Sequence, residues 1–195
     1  MSIKLTKGQK ISLTKDAPGL EKIRVGLGWD TNRYDGEADF DLDASAFLLT
    51  STGKVSYDAD LVCYVQGHEQ HPSGCLVYGG DNRTGSGDGD DETIDIDLSL
   101  VPESHEKIAI TATIYDAGAR LQNFGMVSNA YIRLVNMVTG EELLRFDLGE
   151  DYSVETAIVF AEIYRHNGEW KFAAVGRGFS GGLAAICANY GINVE

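Results

Sequence analysis

Two short segments of the chain concentrate the oxygen ligands that a hard cation needs. Residues 30–43 carry Asp30, Asp35, Glu37, Asp39, Asp41 and Asp43, and residues 81–97 carry Asp81, Asp88, Asp90, Asp91, Glu92, Asp95 and Asp97. Only Arg33 and Arg83 stand against them, so these segments hold −11 of the chain's formal charge of −14. A solubilising surface spreads its charge, whereas local crowding of one sign must be offset by something local. A bound divalent cation is the economical candidate. Hard oxygens select calcium or magnesium over zinc or copper, and a flexible loop with many carboxylates favours calcium over the rigid octahedron of magnesium.

The two segments differ in kind. In Asp39-Phe40-Asp41-Leu42-Asp43 the acids alternate with apolar residues, which predicts a strand with the carboxylates together on its wet face. Side chains two apart on a strand are roughly 6.5–7 Å apart, too far to close a shell of six to eight oxygens without a second segment. Gly79–Glu92 is that segment, with five glycines, five carboxylates, the Asn82 amide and two hydroxyls. It is expected to be mobile without a cation, and its bland reading is a solvated acidic loop. Asp81 and Glu92 occupy the ends of an EF-hand-like frame, but Arg83 and Gly85 stand at ligand positions, so the match is accidental.

Other chemistry is weaker. Gly178-Phe179-Ser180-Gly181-Gly182 fits the Gly-x-Ser-x-Gly elbow of hydrolases, yet His68, His71, His105 and His166 all precede the serine and the expected order needs a histidine after it. Cys63, His68, His71 and Cys75 could form a zinc clip, but the spacing is not that of a standard finger, and two strand thiols with two loop histidines is the simpler reading. A dense cluster of mutually repelling acids does not suit the two unlike carboxyl groups of a glycosidase. Trp29 and Trp170 read as packing residues. The chain is therefore read as no enzyme; the alternative is a metal- or thiol-dependent enzyme.

The elements that must position these residues are strands. Ile23-Val25-Leu27-Trp29, Phe40-Leu42-Ala44-Ala46-Leu48, Ile94-Ile96-Leu98 and Ile108-Ile110-Ala112-Ile114 recur with period two, each predicting a half-buried strand. Further β-rich runs lie at 130–137, 142–148, 157–164 and 169–175, the last two joined through the turn dipeptide Asn167-Gly168. No ten-residue helical pattern separates strands as a βαβ unit requires. The expected fold is mainly β, an antiparallel two-sheet sandwich with one short C-terminal helix over Gly182–Tyr190 that stops at Gly191, in a single domain over residues 1–195.

Composition narrows the function classes. The net charge of −14 opposes affinity for nucleic acid or anionic lipid. No apolar run approaches the ~20 residues of a membrane span, the N-terminus lacks a signal-peptide core, and three cysteines form no Cys-x-x-Cys pair. Reduced thiols in a cytoplasmic protein are expected.

Five motifs together resemble the TerD family of tellurium-resistance and stress proteins, from Ser2 to Asn193. They are Val25-Gly-Leu-Gly-Trp-Asp30, Asp39-Phe-Asp-Leu-Asp-Ala-Ser-Ala-Phe47, Gly80-Asp-Asn-Arg-Thr-Gly-Ser-Gly-Asp-Gly-Asp-Asp-Glu92, Phe124-Gly-Met-Val-Ser-Asn129 and Tyr164-Arg-His-Asn-Gly-Glu-Trp-Lys-Phe172. The resemblance implies a β-sandwich that binds calcium through the two acidic motifs, acts in tellurite and stress resistance, and associates with other tellurite-resistance proteins at the inner face of the membrane. By position it implies ligand roles for Asp41, Asp43, Asp81, Asp88, Asp90, Asp91 and Glu92, and more weakly for Asp30 and Asp39. More than one calcium ion is expected. Where the family shows an aromatic residue followed by paired asparagines, this chain reads Cys63-Tyr64-Val65-Gln66.

Overall fold

Period-two patterning becomes twelve strands in the computed structural model, which describes residues 2–31, 38–87, 89–149 and 152–193. They are β1 (Ile3–Leu5), β2 (Lys10–Ser12), β3 (Lys22–Gly28), β4 (Leu42–Thr50), β5 (Leu61–Val62), β6 (Leu76–Tyr78), β7 (Glu92–Asp97), β8 (His105–Ile114), β9 (Tyr131–Asn136), β10 (Glu142–Asp147), β11 (Ala157–His166) and β12 (Glu169–Phe179). Short helices α1 (Leu13–Asp16) and α2 (Ala117–Arg120) and the terminal helix α3 (Gly182–Tyr190) complete the framework. Among the described residues no helix is long and apolar enough to cross a membrane.

The strands form two six-stranded sheets, ordered β1-β10-β9-β3-β7-β6 and β2-β12-β11-β8-β4-β5. All pairs are antiparallel except the edge pair β1–β10, which is parallel. The β11–β12 hairpin turns on Asn167 and Gly168, whose φ values of 52° and 76° give the left-handed turn that matches strand twist.

Between the sheets, Ile23, Val25 and Leu27 of β3 and Ile94 and Ile96 of β7 meet Leu42, Ala44, Ala46 and Leu48 of β4 and Ile108, Ile110 and Ala112 of β8. Each fully buried aliphatic contributes about 1.5–3 kcal/mol. A second cluster lies on the other face of the second sheet, where Phe47, Leu49, Cys63 and Val159 are covered by Ile186, Cys187 and Tyr190 of α3. The Phe47 and Tyr190 rings stand 4.9 Å apart.

This third layer corrects one expectation. The face of β4 that carries Asp43, Ser45, Phe47 and Leu49 is buried, not wet, and α3 packs over its Phe47 and Leu49 end. Alternation of polar and apolar residues marked β4 as a strand, but a tertiary contact from the far end of the chain dried its polar side. Asp39, Phe40 and Asp41 also precede the strand, which begins at Leu42.

Candidate metal centre

The drying of that face is what makes the carboxylates chemically unusual. Asp41 and Asp43 flank Leu42 at the start of β4, and Asp81 enters from the glycine-rich loop between β6 and β7. One oxygen from each of the three lies within 4.8 Å of the others. Asp41 is only 6% exposed and Asp43 only 3%. Asp41 Oδ1 is buried with no hydrogen-bond partner, an arrangement that leaves an acceptor unsatisfied at a cost of about 1–3 kcal/mol.

Burial, then the charges of Asp41 and Asp81, push Asp43 up to about 8, and burial raises Asp41 against the opposing pull of Arg120. The fold thus brings together carboxylates that resist ionising in one another's presence, and a cation placed among them inverts that preference. The donors are all hard oxygens. Their type, their convergence and the orphaned acceptor fit a divalent cation of the calcium or magnesium class.

Side-chain hydrogen bonds hold the loop that delivers Asp81. Asn82 Oδ1 accepts from the Thr84 and Gly85 amides, and Asn82 Nδ2 donates to Asp91 Oδ1 at 2.9 Å. Asp91 Oδ2 in turn accepts from the Trp29 amide at 3.0 Å. Gly85, at φ 66°, packs so closely on the Trp29 indole that a Cβ there would sit 2.4 Å from Nε1. Protein contacts therefore supply part of the loop's order, which the sequence-based expectation assigned to the cation alone.

The remaining acids expected as ligands are placed differently. Asp39 is exposed but lines the same cleft as the three converging carboxylates. Glu92 lies behind them, 1% exposed, and ties the two sheets: its Oε2 accepts from the Ala44 amide of β4 and its Oε1 from the Tyr78 hydroxyl of β6. Burial pushes Glu92 up to about 8 despite those two bonds. Asp91 anchors the loop as described. Asp90 lies on the outer face of the first sheet above Gly26, paired with Arg133 Nε at 2.7 Å. Asp30 accepts from Asn129 Nδ2 at 2.8 Å. Asp88 lies outside the described residues.

Three cleft residues had no signal in the sequence. Tyr64 follows β5, Tyr115 follows β8 and Arg120 ends α2, and only the fold carries them to the acidic motifs. Arg120 Nη2 is 3.7 Å from Asp41 Oδ2, and its guanidinium lies 5.2 Å from the Tyr115 ring centre.

Cys63, His68, His71 and Cys75 do not form a clip. Cys63 belongs to the cluster under α3 and Cys75 to the core between the sheets, while His68 Nδ1 contacts the Leu61 carbonyl. Among the described residues only Asp41, Asp43 and Asp81 bring three such ligands together. His71 instead joins His105 around Asp60, at 3.2 and 3.1 Å, and the Ser56 and Tyr57 amides also donate to that carboxylate. Pairing across 45 residues left no trace in local spacing.

Cys75 Sγ does face an imidazole, His71 Nδ1, at 3.6 Å, which completes a cysteine–histidine–aspartate order. All three side chains are sealed in the interior, and burial raises the Cys75 thiol, the reverse of what an activated nucleophile needs. Ser180 is no elbow nucleophile in this geometry. Its hydroxyl donates to the Val154 carbonyl, and the Gly181 and Gly182 amides donate to Thr156 Oγ1 to form the turn into α3.

Comparison with known proteins agrees with this architecture. A TerD domain model matches residues 1–190. General stress protein 16U of Bacillus subtilis (strain 168) is 56% identical over 194 residues, covering all of both chains. Tellurium resistance protein TerD of Serratia marcescens is 55% identical over 195 residues, again covering all of both. The crystal structure of a homologue of telluride resistance protein (TerD) from Streptomyces coelicolor A3(2) superposes with a TM-score of 0.67 at 24% identity, over 87% of this chain and 96% of that one, a likeness of fold. With the domain matched almost end to end and full-length relatives above half identity, the chain belongs to the TerD family of tellurium-resistance and stress proteins.

Proposed function

We propose that the protein is a calcium-binding module of the tellurite and stress response that acts by ion-dependent binding to other proteins rather than by catalysis. The observation that carries this reading is the convergence of Asp41, Asp43 and Asp81 around a buried acceptor without a partner. Those three residues would hold the ion, with Asp39 at the rim of the same cleft. Bound calcium would supply positive charge where the fold has placed mutually repelling carboxylates. Calcium is favoured over magnesium because one ligand comes from an exposed glycine-rich loop, which suits an adaptable shell better than a rigid octahedron. A partner surface is supported by exposed apolar side chains next to cleft residues in the chain: Val65 beside Tyr64, and Leu121, 83% exposed, beside Arg120. Partners at the inner face of the membrane and a cytoplasmic setting belong to the same proposal.

Titration calorimetry tests it. The expected result is calcium binding that is clearly tighter than magnesium binding and is weakened at least tenfold by Asp43→Asn; the stoichiometry decides between one ion and the several that the acid count suggested. Equal affinity for both ions, or no effect of the substitution, would refute the site. The enzymatic reading draws on the Cys75–His71–Asp60 order. Thiol reagents decide against it if Cys75 reacts no faster than the protein unfolds.

A further inference from the structure

We propose that the cleft next to the three carboxylates binds an oxyanion, either an organic phosphate ester or a free inorganic oxyanion, held jointly by the bound cation and by the guanidinium groups of Arg83 and Arg120. The inference rests on the reading of Asp41, Asp43 and Asp81 as a cation site and states what the cation is there to recognise.

The first ground is an unfinished coordination shell. Three carboxylates offer six oxygens only if each binds through both, whereas calcium takes six to eight. Asp43 and Asp41 are both nearly buried, so any further ligand enters through the space that both line, where the structure has a cleft of about 450 Å³. That volume lies in the range of small-molecule sites and far exceeds what one or two coordinating waters fill.

The second ground is the placement of the arginines. Arg83 Nε donates to Asp81 Oδ2 at 2.9 Å, and Arg120 Nη2 lies 3.7 Å from Asp41 Oδ2. Each guanidinium thus leans on one corner of the carboxylate triangle. A divalent ion that draws those oxygens onto itself weakens both pairs and leaves two fork-shaped donors facing the same space. Arg120 does not then swing away, because it also donates to the Asp39 carbonyl at 3.3 Å and lies over the Tyr115 ring. Two forks around one cation edge make a geometry suited to bidentate capture of an oxyanion.

Charge sets the order of events. Four carboxylates and two guanidiniums line the cleft, a formal −2 that repels anions. A divalent cation brings the lining to neutrality and so removes that repulsion, with its unfilled coordination positions toward the opening. Anion binding must therefore follow cation binding. Tyr64 and Tyr115 form the remaining wall, their rings 6.5 Å apart edge to face and Tyr115 46% exposed. An exposed aromatic face beside the anion position suits an ester carrying a flat organic group.

The experiment uses the full chain, calcium, and three probes: phenyl phosphate, inorganic phosphate and tellurite, each titrated calorimetrically with calcium just above saturation and again in EDTA. Phenyl phosphate is expected to bind only with calcium. Arg83→Ala and Arg120→Ala should each weaken it roughly tenfold or more, the loss of one hydrogen-bonded charge pair. Arg83 is largely exposed, so its removal leaves the fold intact. Tyr115→Ala should weaken phenyl phosphate and spare inorganic phosphate. Displacement of phenyl phosphate by micromolar tellurite identifies an inorganic oxyanion as the occupant; failure to displace it identifies the ester. Phenyl phosphate that binds equally in EDTA, or equally to both arginine variants, or not at all while calcium binds, overturns the inference and leaves the calcium site standing. Absence of calcium binding itself overturns the underlying reading instead.

Discussion

The cation-free protein should lose stability as the pH rises from 5 to 7, and calcium should abolish that loss. Asp43 and Glu92 each titrate at about 8 in the fold, far above the ordinary carboxylate value of roughly 4 that they regain on unfolding. A raised acid binds its proton more tightly in the native state, so the stability it contributes is fully present below about pH 4 and is lost as the pH climbs toward 8. Each such group removes ~1.4 kcal/mol per pH unit inside that window. Two groups over two units give at most about 5 kcal/mol; because the charge on Asp43 itself raises Glu92, the two do not add in full and roughly 3 kcal/mol is the working figure. The carboxylates that salt bridges hold low, Glu142 and Asp147, titrate below the window and do not mask the effect. For a chain of this length 3 kcal/mol corresponds to about 6–12 °C in melting temperature. Urea denaturation at pH 5, 6 and 7 in EDTA, repeated with calcium, provides the measurement, and Asp43→Asn should remove about half of the slope. With calcium at a hundredfold excess over its dissociation constant, ligation adds about 2.7 kcal/mol at pH 7 and the slope should vanish or change sign. Cation-free stability that is flat or rises between pH 5 and 7 would show that these carboxylates are not strained by burial.

The other expectations follow from the same coordinates. Asp60→Ala should destabilise by about 4 kcal/mol, since it strips the acceptor from two buried imidazoles and two backbone amides, and a urea midpoint implying less than 1 kcal/mol would contradict the network. Hydrogen exchange should find the Thr84 and Gly85 amides partly protected even in EDTA, because Asn82 holds them, with calcium adding protection chiefly at the start of β4 and around Asp81; uniform exposure without calcium would mean that the cation alone orders the loop. Cys63, Cys75 and Cys187 should react with thiol reagents only at the rate of global opening, since all three are buried and burial pushes Cys63 and Cys187 up to about 11; one fast-reacting thiol in the native protein would reopen the case for cysteine chemistry.

Sequence by itself determined the eight longer strands, the sandwich, the terminal helix and the family, while the two- and three-residue strands β1, β2, β5 and β6 are too short to leave a period. Period-two rows such as Ile94-Ile96-Leu98 can bury one face only as strands, Asn167-Gly168 can turn a hairpin with almost no alternative, and Gly191 ends α3 because it accepts a left-handed φ of 94°. These signals are local, and local periodicity survives in any register. The two acidic segments were equally legible, because thirteen acids against two bases is a fact of composition. Which acids meet was a different matter. Asp41, Asp43 and Asp81 converge while Asp90 turns outward to Arg133, and no spacing distinguishes Asp90 from its neighbours; the choice depends on β7 pairing with β3 in the register that sets Leu27 opposite Glu92. Burial was decided from still farther away. The outer face of β4 is dry around Phe47 because α3, about 140 residues later in the chain, lies across the second sheet, and Tyr64, Tyr115 and Arg120 reach the cleft because two separate connections, one after β5 and one after β8, end at one edge of it. Alternation in a sequence tells which residues share a face, but only packing decides whether that face meets water, and the chemistry of a carboxylate depends on that decision.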